Sequence, residues 1–322
     1  MSLPQYIERG GRQFLCQPYM FNDVTLRSFF VKGSHDKMQA ITDAMVNSVL
    51  GETVYHVLSD QVVMLVTNVG HCNSENFPDN RMGFLEYMEV SAWIPVVRFE
   101  QGKLIPKIGL FSPYLWVNHP MALLAGREVF GCPKALADIQ PTDPTSRATV
   151  TVDTYLENEY SPKTEWTSQR LLEIQTDHSD PSEHVHHDSM EDVVKDWIRK
   201  LVGNVAGTVL IHALDHELDV LAHHDLISSN LVFLKQFRDA EDGSKACYQS
   251  VVEAPLSITE FRTGSTLPGN HEVVVHECDP FPLCDDLGLV PGPQKVEFAT
   301  VMTGDFLFHA GHTVGTAKVQ ST

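Results

Sequence analysis

The chain has 322 residues, of which 43% are hydrophobic, so it can bury a sizeable core in one large domain or two modest ones. Lys and Arg total 23 against 42 Asp and Glu, a formal charge of −19, which argues against nucleic acid and anionic membranes as partners. The six cysteines form no CxxC pair and the N-terminal residues contain no apolar signal core, so we expect a cytoplasmic protein with free thiols.

Hydrophobic periodicity predicts a chain made mostly of strands. The strand-like run "RSFFV" at Arg27–Val31 is followed by a helical stripe over Asp36–Leu50. Next come three apolar runs typical of buried strands, "QVVMLVTNVG", "YMEVSAWIPVVRFE" and "KLIPKIGLFSPYLWV". A short helix is predicted in "HPMALLAGREVFG", where Pro120 suits the first position and Gly131 the end. Further strand-like runs follow, so the pattern indicates an α+β fold with a mainly antiparallel sheet or barrel and peripheral helices.

One segment departs from this pattern, because residues 175–226 become helical and histidine-rich. Ser189 and Asp192 form a capping box, and the apolar residues that follow keep helical spacing. We expect a single domain over residues 1–322 that carries an inserted, lid-like helical segment at 175–226. The predicted apolar stripe is Met190, Val193, Val194, Trp197, Ile198, Leu201, Val202 and Val205.

The histidines of this segment raise the question of a metal site. His212 and His216 are four residues apart, a spacing at which two imidazoles can share a metal ion. However, "HALDH" lacks the glutamate of the HExxH motif, and no cysteine joins the set. We expect surface or packing histidines and no metal. No GxSxG elbow, phosphate loop or dinucleotide-binding motif occurs either, so no cofactor is predicted.

Lys134, in "EVFGCPKALADI", is the strongest candidate for chemistry. Its neighbours are almost all apolar or small, and Pro133 stiffens the backbone in front of it. A lysine attacks a ketone only as a neutral amine, and burial can lower its pKa enough to permit this. The resulting iminium accepts electrons when CO₂ departs, when a C–C bond breaks or when a proton leaves. A solvated surface lysine is the alternative, and Cys132 beside it is expected to be a packing residue.

The segment "GREVFGCPKALADI" resembles the signature of acetoacetate decarboxylases, in which the first lysine after the proline forms the Schiff base. "GFLEYMEVSAWIPV" resembles the family segment that carries an active-site glutamate, here Glu89. "RSFFVKGSHDKMQAI" resembles the segment that holds an active-site arginine, here Arg27. The resemblance implies a barrel or cone. It also implies that Lys134 forms the iminium, Glu89 shuttles a proton or positions the substrate, and Arg27 pairs with a substrate carboxylate.

Two departures from the family pattern limit what the resemblance implies. The second lysine of the motif is Ala135 here, so desolvation, or a cation such as Arg27, would have to lower the pKa of Lys134. A second acidic residue of the pattern is replaced by an apolar residue near Met64. The residues expected to contact substrate are Phe130, Trp93 and Met64.

Three functions therefore stay open. The first is decarboxylation of a β-keto acid, for example a polyketide-like intermediate of secondary metabolism. The second is a Schiff-base aldolase, dehydratase or cyclase acting on a keto acid or ketone. The third is a non-catalytic binder of small molecules on the same scaffold. By analogy with the family, a homo-oligomer is expected.

Overall fold

The computed structural model describes residues 4–8, 15–99, 107–141, 148–157, 159–177, 185–202 and 228–317, and strands dominate them. Runs rich in Val, Ile, Phe, Tyr and Thr form these strands, as expected for side chains that suit a pleated, buried surface. The strands are β1 (Tyr19–Lys32), β2 (Tyr55–Val57), β3 (Gln61–Ser74), β4 (Leu85–Arg98), β5 (Lys107–Val117), β6 (Lys134–Leu136), β7 (Asp138–Pro141), β8 (Ala148–Leu156), β9 (Thr167–Asp177), β10 (His186–His187), β11 (Ser228–Arg238), β12 (Ala246–Thr266), β13 (Asn270–Val275), β14 (Gly292–Phe308) and β15 (His312–Thr316).

Helices are few and short among the described residues. Two π-helical turns, Asp43–Asn47 and Gly126–Phe130, continue α-helices, and a 3₁₀ turn spans Asp79–Arg81. None of the described helices is long and apolar enough to cross a membrane. The α-helices are α1 (His35–Thr42), α2 (Ser48–Leu50), α3 (Pro120–Ala125), α4 (Met190–Val202) and α5 (Leu283–Leu287).

The strand pairings form a cycle. Strands β1, β3, β4 and β5 pair in that order, each antiparallel to the next. β5 then pairs in parallel with β11, and antiparallel pairings lead on through β12 and β14 back to β1. A smaller sheet continues from β14 through β13, β9 and β8 to β7. The predicted mainly antiparallel architecture with peripheral helices is confirmed, while its shape as a barrel or cone stays a prediction.

The two faces of the main sheet bury two different cores. Because side chains alternate along a strand, Met64 and Val66 of β3 enter one cluster while Val63 and Leu65 enter the other. Core A contains buried residues of both sheets, with Phe29, Met64, Val66, Ile139 and Val273 among them. Core B contains Phe30, Val63, Leu65, Trp93, Val117 and Phe233, and α4 packs against it.

The predicted inserted segment is described in part. β9 runs to Asp177, β10 pairs with β12, and α4 begins directly after Ser189. The hydroxyl of Ser189 accepts a hydrogen bond from the Asp192 N–H (3.3 Å) and donates one to the Asp192 carboxylate (2.8 Å), so the predicted cap is present. The other residues of the segment, 178–184 and 203–226, lie outside the described residues. They include His184, His212, His216, His223 and His224.

Candidate active site

Lys134 reaches the sheet through a tightly determined turn. Helix α3 continues into the π-helical turn Gly126–Phe130, which ends at Gly131 with a left-handed φ of 81°. A side chain at position 131 would meet the Lys235 Cα at 2.3 Å, so both the φ and the close approach require glycine there. The chain then enters β6, which pairs in parallel with β5 and sets Lys134 opposite Leu115.

The amine of Lys134 forms an ion pair with Glu89. Its Nζ lies 3.0 Å from Oε2 of Glu89, and the two side chains are only 9% and 16% exposed. Glu89 belongs to β4, on the other side of β5, where it lies opposite Val117. Backbone pairing of three adjacent strands therefore determines the distance between the two charges.

Electrostatics favour the charged form of the resting amine. Burial lowers the pKa of Lys134, but the Glu89 carboxylate opposes this effect, and the net pKa is raised above its ordinary value. Burial also raises the pKa of the Cys132 and Cys72 thiols to about 12, so both are neutral at pH 7. Desolvation alone would lower the pKa of Lys134, whereas in this site, beside Glu89, the pKa is raised, which corrects the expected direction.

The side chain of Lys134 is held along its whole length. A Cβ at position 126 would lie 2.6 Å from both Cδ and Cε of Lys134, so the aliphatic stem packs directly on the backbone at Gly126. The Arg127 guanidinium donates a hydrogen bond to the Lys134 carbonyl (2.9 Å), and the Tyr87 ring centroid lies 5.4 Å from Nζ. A π-helical turn is frequent at functional sites, and here it brings Gly126 against the lysine.

Lys134 and Glu89 open into a cavity of about 520 Å³ that is lined by the main sheet and α4. The charged residues among its described lining are Glu89, Lys107 and Lys134, and most of the remaining lining side chains are apolar. Such a concave apolar site with a few convergent polar groups is the usual form of a small-molecule site. No group of three or more metal-ligating side chains occurs among the described residues.

The structure brings only some of the predicted site residues together. Lys134, Glu89 and Trp93 line the cavity. Phe130 lies behind its wall, fully buried and stacked on the lining residue Phe308 with ring centroids 4.3 Å apart.

Arg27 and Met64 do not reach the cavity, which corrects the prediction for both. Leu26 of β1 and Leu65 of β3 line the cavity, so the strand alternation turns their neighbours Arg27 and Met64 to the opposite face. Met64 is fully buried in core A, and Arg27 lies opposite Val66 of that core. Burial lowers the pKa of Arg27.

Sequence reasoning missed two residues that lie against Lys134. Tyr87 lines the cavity two positions before Glu89, and a period of two along β4 would have found it. Gly126 is the other, and nothing local in the sequence shows that its missing side chain makes room for Lys134.

Comparison with known proteins gives one family match and several similar folds. Residues 61–196 match the family model of acetoacetate decarboxylase. The fold is similar to acetoacetate decarboxylase from Legionella pneumophila (13% identity, TM-score 0.62, covering 98% of this chain and 93% of that one).

Two further solved structures share the fold. One is an acetoacetate decarboxylase-like enzyme from Sphingomonas wittichii RW1 (10% identity, TM-score 0.56, 98% of this chain and 100% of that one). The other is the enduracididine biosynthesis enzyme MppR with the condensation product of pyruvate and imidazole 4-carboxaldehyde (12% identity, TM-score 0.54, 95% and 92%). Comparison with curated protein sequences gave no match.

Proposed function

We propose that the chain is a member of the acetoacetate decarboxylase-like superfamily and acts as a carbon–carbon lyase that forms a Schiff base on Lys134 and decarboxylates a β-keto acid. The observation that supports this most is the ion pair of Lys134 and Glu89, with 3.0 Å between Nζ and Oε2, at the end of an apolar cavity. The proposal includes a cytoplasmic homo-oligomer in which the strand cycle forms the predicted barrel or cone.

The ion pair supplies both the nucleophile and the first proton acceptor. The Lys134 ammonium passes a proton to the Glu89 carboxylate, a transfer that leaves the pair neutral overall and therefore suits a desolvated site. The free amine adds to the ketone carbon to give a carbinolamine. Glu89 returns its proton to the departing hydroxyl group, which leaves as water, and the iminium forms next to the regenerated carboxylate.

Loss of CO₂ follows from the electron demand of the iminium. The electrons of the bond to the carboxylate carbon move toward the iminium nitrogen, so CO₂ leaves and an enamine remains. Glu89, once it has taken a proton from solvent, protonates the enamine carbon. Water then hydrolyses the new iminium, which releases the ketone and restores Lys134.

A Schiff-base aldolase, dehydratase or cyclase is the second candidate, and the position of Arg27 favours it. Among the described lining residues no guanidinium lies beside Lys134 to pair with a substrate carboxylate. If the iminium loses an α-proton to the Glu89 carboxylate instead of losing CO₂, the enamine that results could attack an aldehyde. MppR, which shares the fold, was solved with the condensation product of pyruvate and imidazole 4-carboxaldehyde.

A substrate panel separates these functions. Purified protein is incubated with 3-oxo and 2-oxo acids, with and without aldehydes, and the products are identified by mass spectrometry. Release of CO₂ with a matching ketone supports decarboxylation, while condensation without CO₂ supports the second candidate. If no substrate turns over and no ketone is attached to Lys134 by borohydride, the protein is a binder and the proposed chemistry is wrong.

A further inference from the structure

The cavity extends well beyond the reactive pair. On β5 its lining runs from Leu115, opposite Lys134, back to Lys107 at the start of the strand. The lining residues of β5 are Leu115 and residues 107–110, and the eight steps between Lys107 and Leu115 correspond to roughly 26 Å at ~3.3 Å per residue. The lining of β11 follows the same course from Phe233 to Ser229, because β11 pairs with β5. The space therefore extends well beyond Lys134 toward the start of β5.

Helix α4 forms an apolar wall along this space. Five of its residues line the cavity at helical spacing: Met190, Val194, Trp197, Ile198 and Leu201. Its opposite side carries charged residues that are paired, such as Lys195 with Glu191 and Arg199 with Asp196. The apolar stripe of an amphipathic helix normally packs on protein, whereas here much of it borders a cavity.

The helix has a defined position against the sheet. The indole N–H of Trp197 donates to the Thr300 hydroxyl (3.0 Å), and its ring packs edge-on against Phe30 with centroids 5.5 Å apart. Lys200 pairs with Glu297 at 2.7 Å. A side chain at Gly264 of β12 would lie 2.8 Å from Val193, so the helix approaches that strand closely. These contacts fix α4 as a wall of the site.

Two indole N–H groups that border the space, one on α4 and one on β4, are already satisfied by the protein. The Trp197 N–H is bonded to Thr300, and the Trp93 N–H donates to the buried Ser91 hydroxyl at 2.7 Å. Both indoles therefore offer hydrocarbon to a ligand. Burying an apolar ligand against these two rings is favourable, whereas a polar substituent placed on them would lose its hydration without gaining a partner.

The volume sets the size of the ligand. About 520 Å³ equals the share of ~17 water molecules at ~30 Å³ each, so the cavity can hold roughly 15 non-hydrogen atoms. Acetoacetate fills less than about half of that space.

From this geometry we infer that the substrate is a ketone or 3-oxo acid with an extended hydrocarbon tail, which lies beneath α4 while its carbonyl carbon reaches Lys134. The inference rests on the proposed Schiff-base function. It assigns chain-length selectivity to the cavity-facing residues of α4, with Ile198 and Trp197 at the middle of the stripe.

Borohydride trapping with a series of ketones tests directly whether the cavity binds a hydrocarbon tail. The result does not depend on which bond the enzyme breaks. The full chain is reduced in the presence of acetone, 2-pentanone or 2-nonanone, and the half-saturating ketone concentration for the Lys134 adduct is measured by mass spectrometry. Each added methylene contributes up to about fourfold in affinity, so at least about a hundredfold lower concentration is expected for 2-nonanone than for acetone. Equal concentrations for all ketones would overturn the inference and leave the Schiff base intact, whereas no adduct with any ketone would overturn the proposed function.

Two variants on α4 test whether the hydrocarbon tail of the ligand lies beneath this helix. Ile198→Trp fills the space beneath the helix and should reduce the preference for 2-nonanone over acetone at least about tenfold. Arg199→Trp is the matched control, because the Arg199 side chain is 74% exposed, and it should retain the preference. An undiminished preference in a folded Ile198→Trp protein would place the tail elsewhere. If that variant does not fold, the ketone series on the unmodified protein still decides the inference.

Discussion

The two ends of the cavity are formed by different structural elements. At the reactive end, backbone pairing of β4, β5 and β6 sets Glu89 and Lys134 on either side of one strand. At the far end, side chains of α4 line the space over the sheet. The distance between the charges of Lys134 and Glu89 is thus set by strand register. The size of the substrate is limited by the side chains of α4, which can vary without moving Lys134.

Removing the lysine should have the largest effect at the reactive end. Lys134→Ala deletes the only group proposed to bond to substrate, so turnover should fall at least about 10⁴-fold and no ketone adduct should form. Lys195→Ala is the matched control, because Lys195 pairs with Glu191 on the outer side of α4. Product formation under single-turnover conditions measures both. Substantial activity in a folded Lys134→Ala protein would move the chemistry to another residue.

Removing only the charge of Glu89 should separate proton transfer from amine reactivity. Glu89→Gln keeps the shape but loses the proton shuttle, so kcat should fall about 10²–10⁴-fold. In the unmodified protein burial lowers the pKa of Lys134, while the Glu89 carboxylate, together with Cys132 and Cys72, raises it, and the net shift is upward. With that carboxylate gone, the main group that opposes burial is lost and the pKa falls.

Glu89→Gln should lower kcat and at the same time make the Lys134 amine easier to deprotonate. Measuring both quantities makes the test specific to Glu89. Adduct formation with a saturating ketone is measured as a function of pH. The midpoint should move to lower pH in Glu89→Gln, since the amine loses its proton more readily. A midpoint that stays in place or moves to higher pH would show that Glu89 does not hold the proton on Lys134.

A smaller effect is expected from crowding the stem of Lys134. In Gly126→Ala the new Cβ would lie 2.6 Å from Cδ and Cε of the lysine, so the amine must shift. A displacement of about 1 Å can cost up to ~10² in rate, and a loss of tenfold or more is expected here. Gly243→Ala is the control, because a Cβ there meets nothing within 4 Å. The two rates are compared after circular dichroism has established that both variants fold.

The smallest effect concerns the thiol next to the reactive lysine. Burial raises the pKa of Cys132 to about 12, as it does for Cys72, whereas Cys247 is exposed. Because the thiolate is the reactive form, iodoacetamide at pH 8 should label Cys247 first and leave Cys132 unlabelled until the protein is unfolded. Peptide mapping after brief alkylation checks this order, and early labelling of Cys132 would show an open, ionised thiol at the reactive end.

The sequence correctly predicted the features that depend on residues close together in the chain. The capping box at Ser189 with its apolar stripe predicted α4, and the apolar neighbours of Lys134 predicted its burial. The family resemblance selected Glu89, which the structure brings within 3.0 Å of the amine.

The incorrect predictions share a physical cause, because each concerns a feature that depends on pairing between strands distant in the sequence. A one-residue difference in strand position turns Arg27 and Met64 to the opposite face of the sheet from Leu26 and Leu65. The direction of the Lys134 pKa shift depends on a carboxylate 45 positions earlier in the chain, brought close only by the pairing of β4 with β5 and of β5 with β6.

Reduction of the protein with borohydride in the presence of a ketone, followed by peptide mapping, tests the central claim most directly. The expected result is a single adduct whose mass equals the reduced imine and whose site is Lys134, in an amount that depends on ketone concentration. An adduct confined to surface lysines such as Lys195, with Lys134 unmodified at every ketone and pH, would contradict the claim.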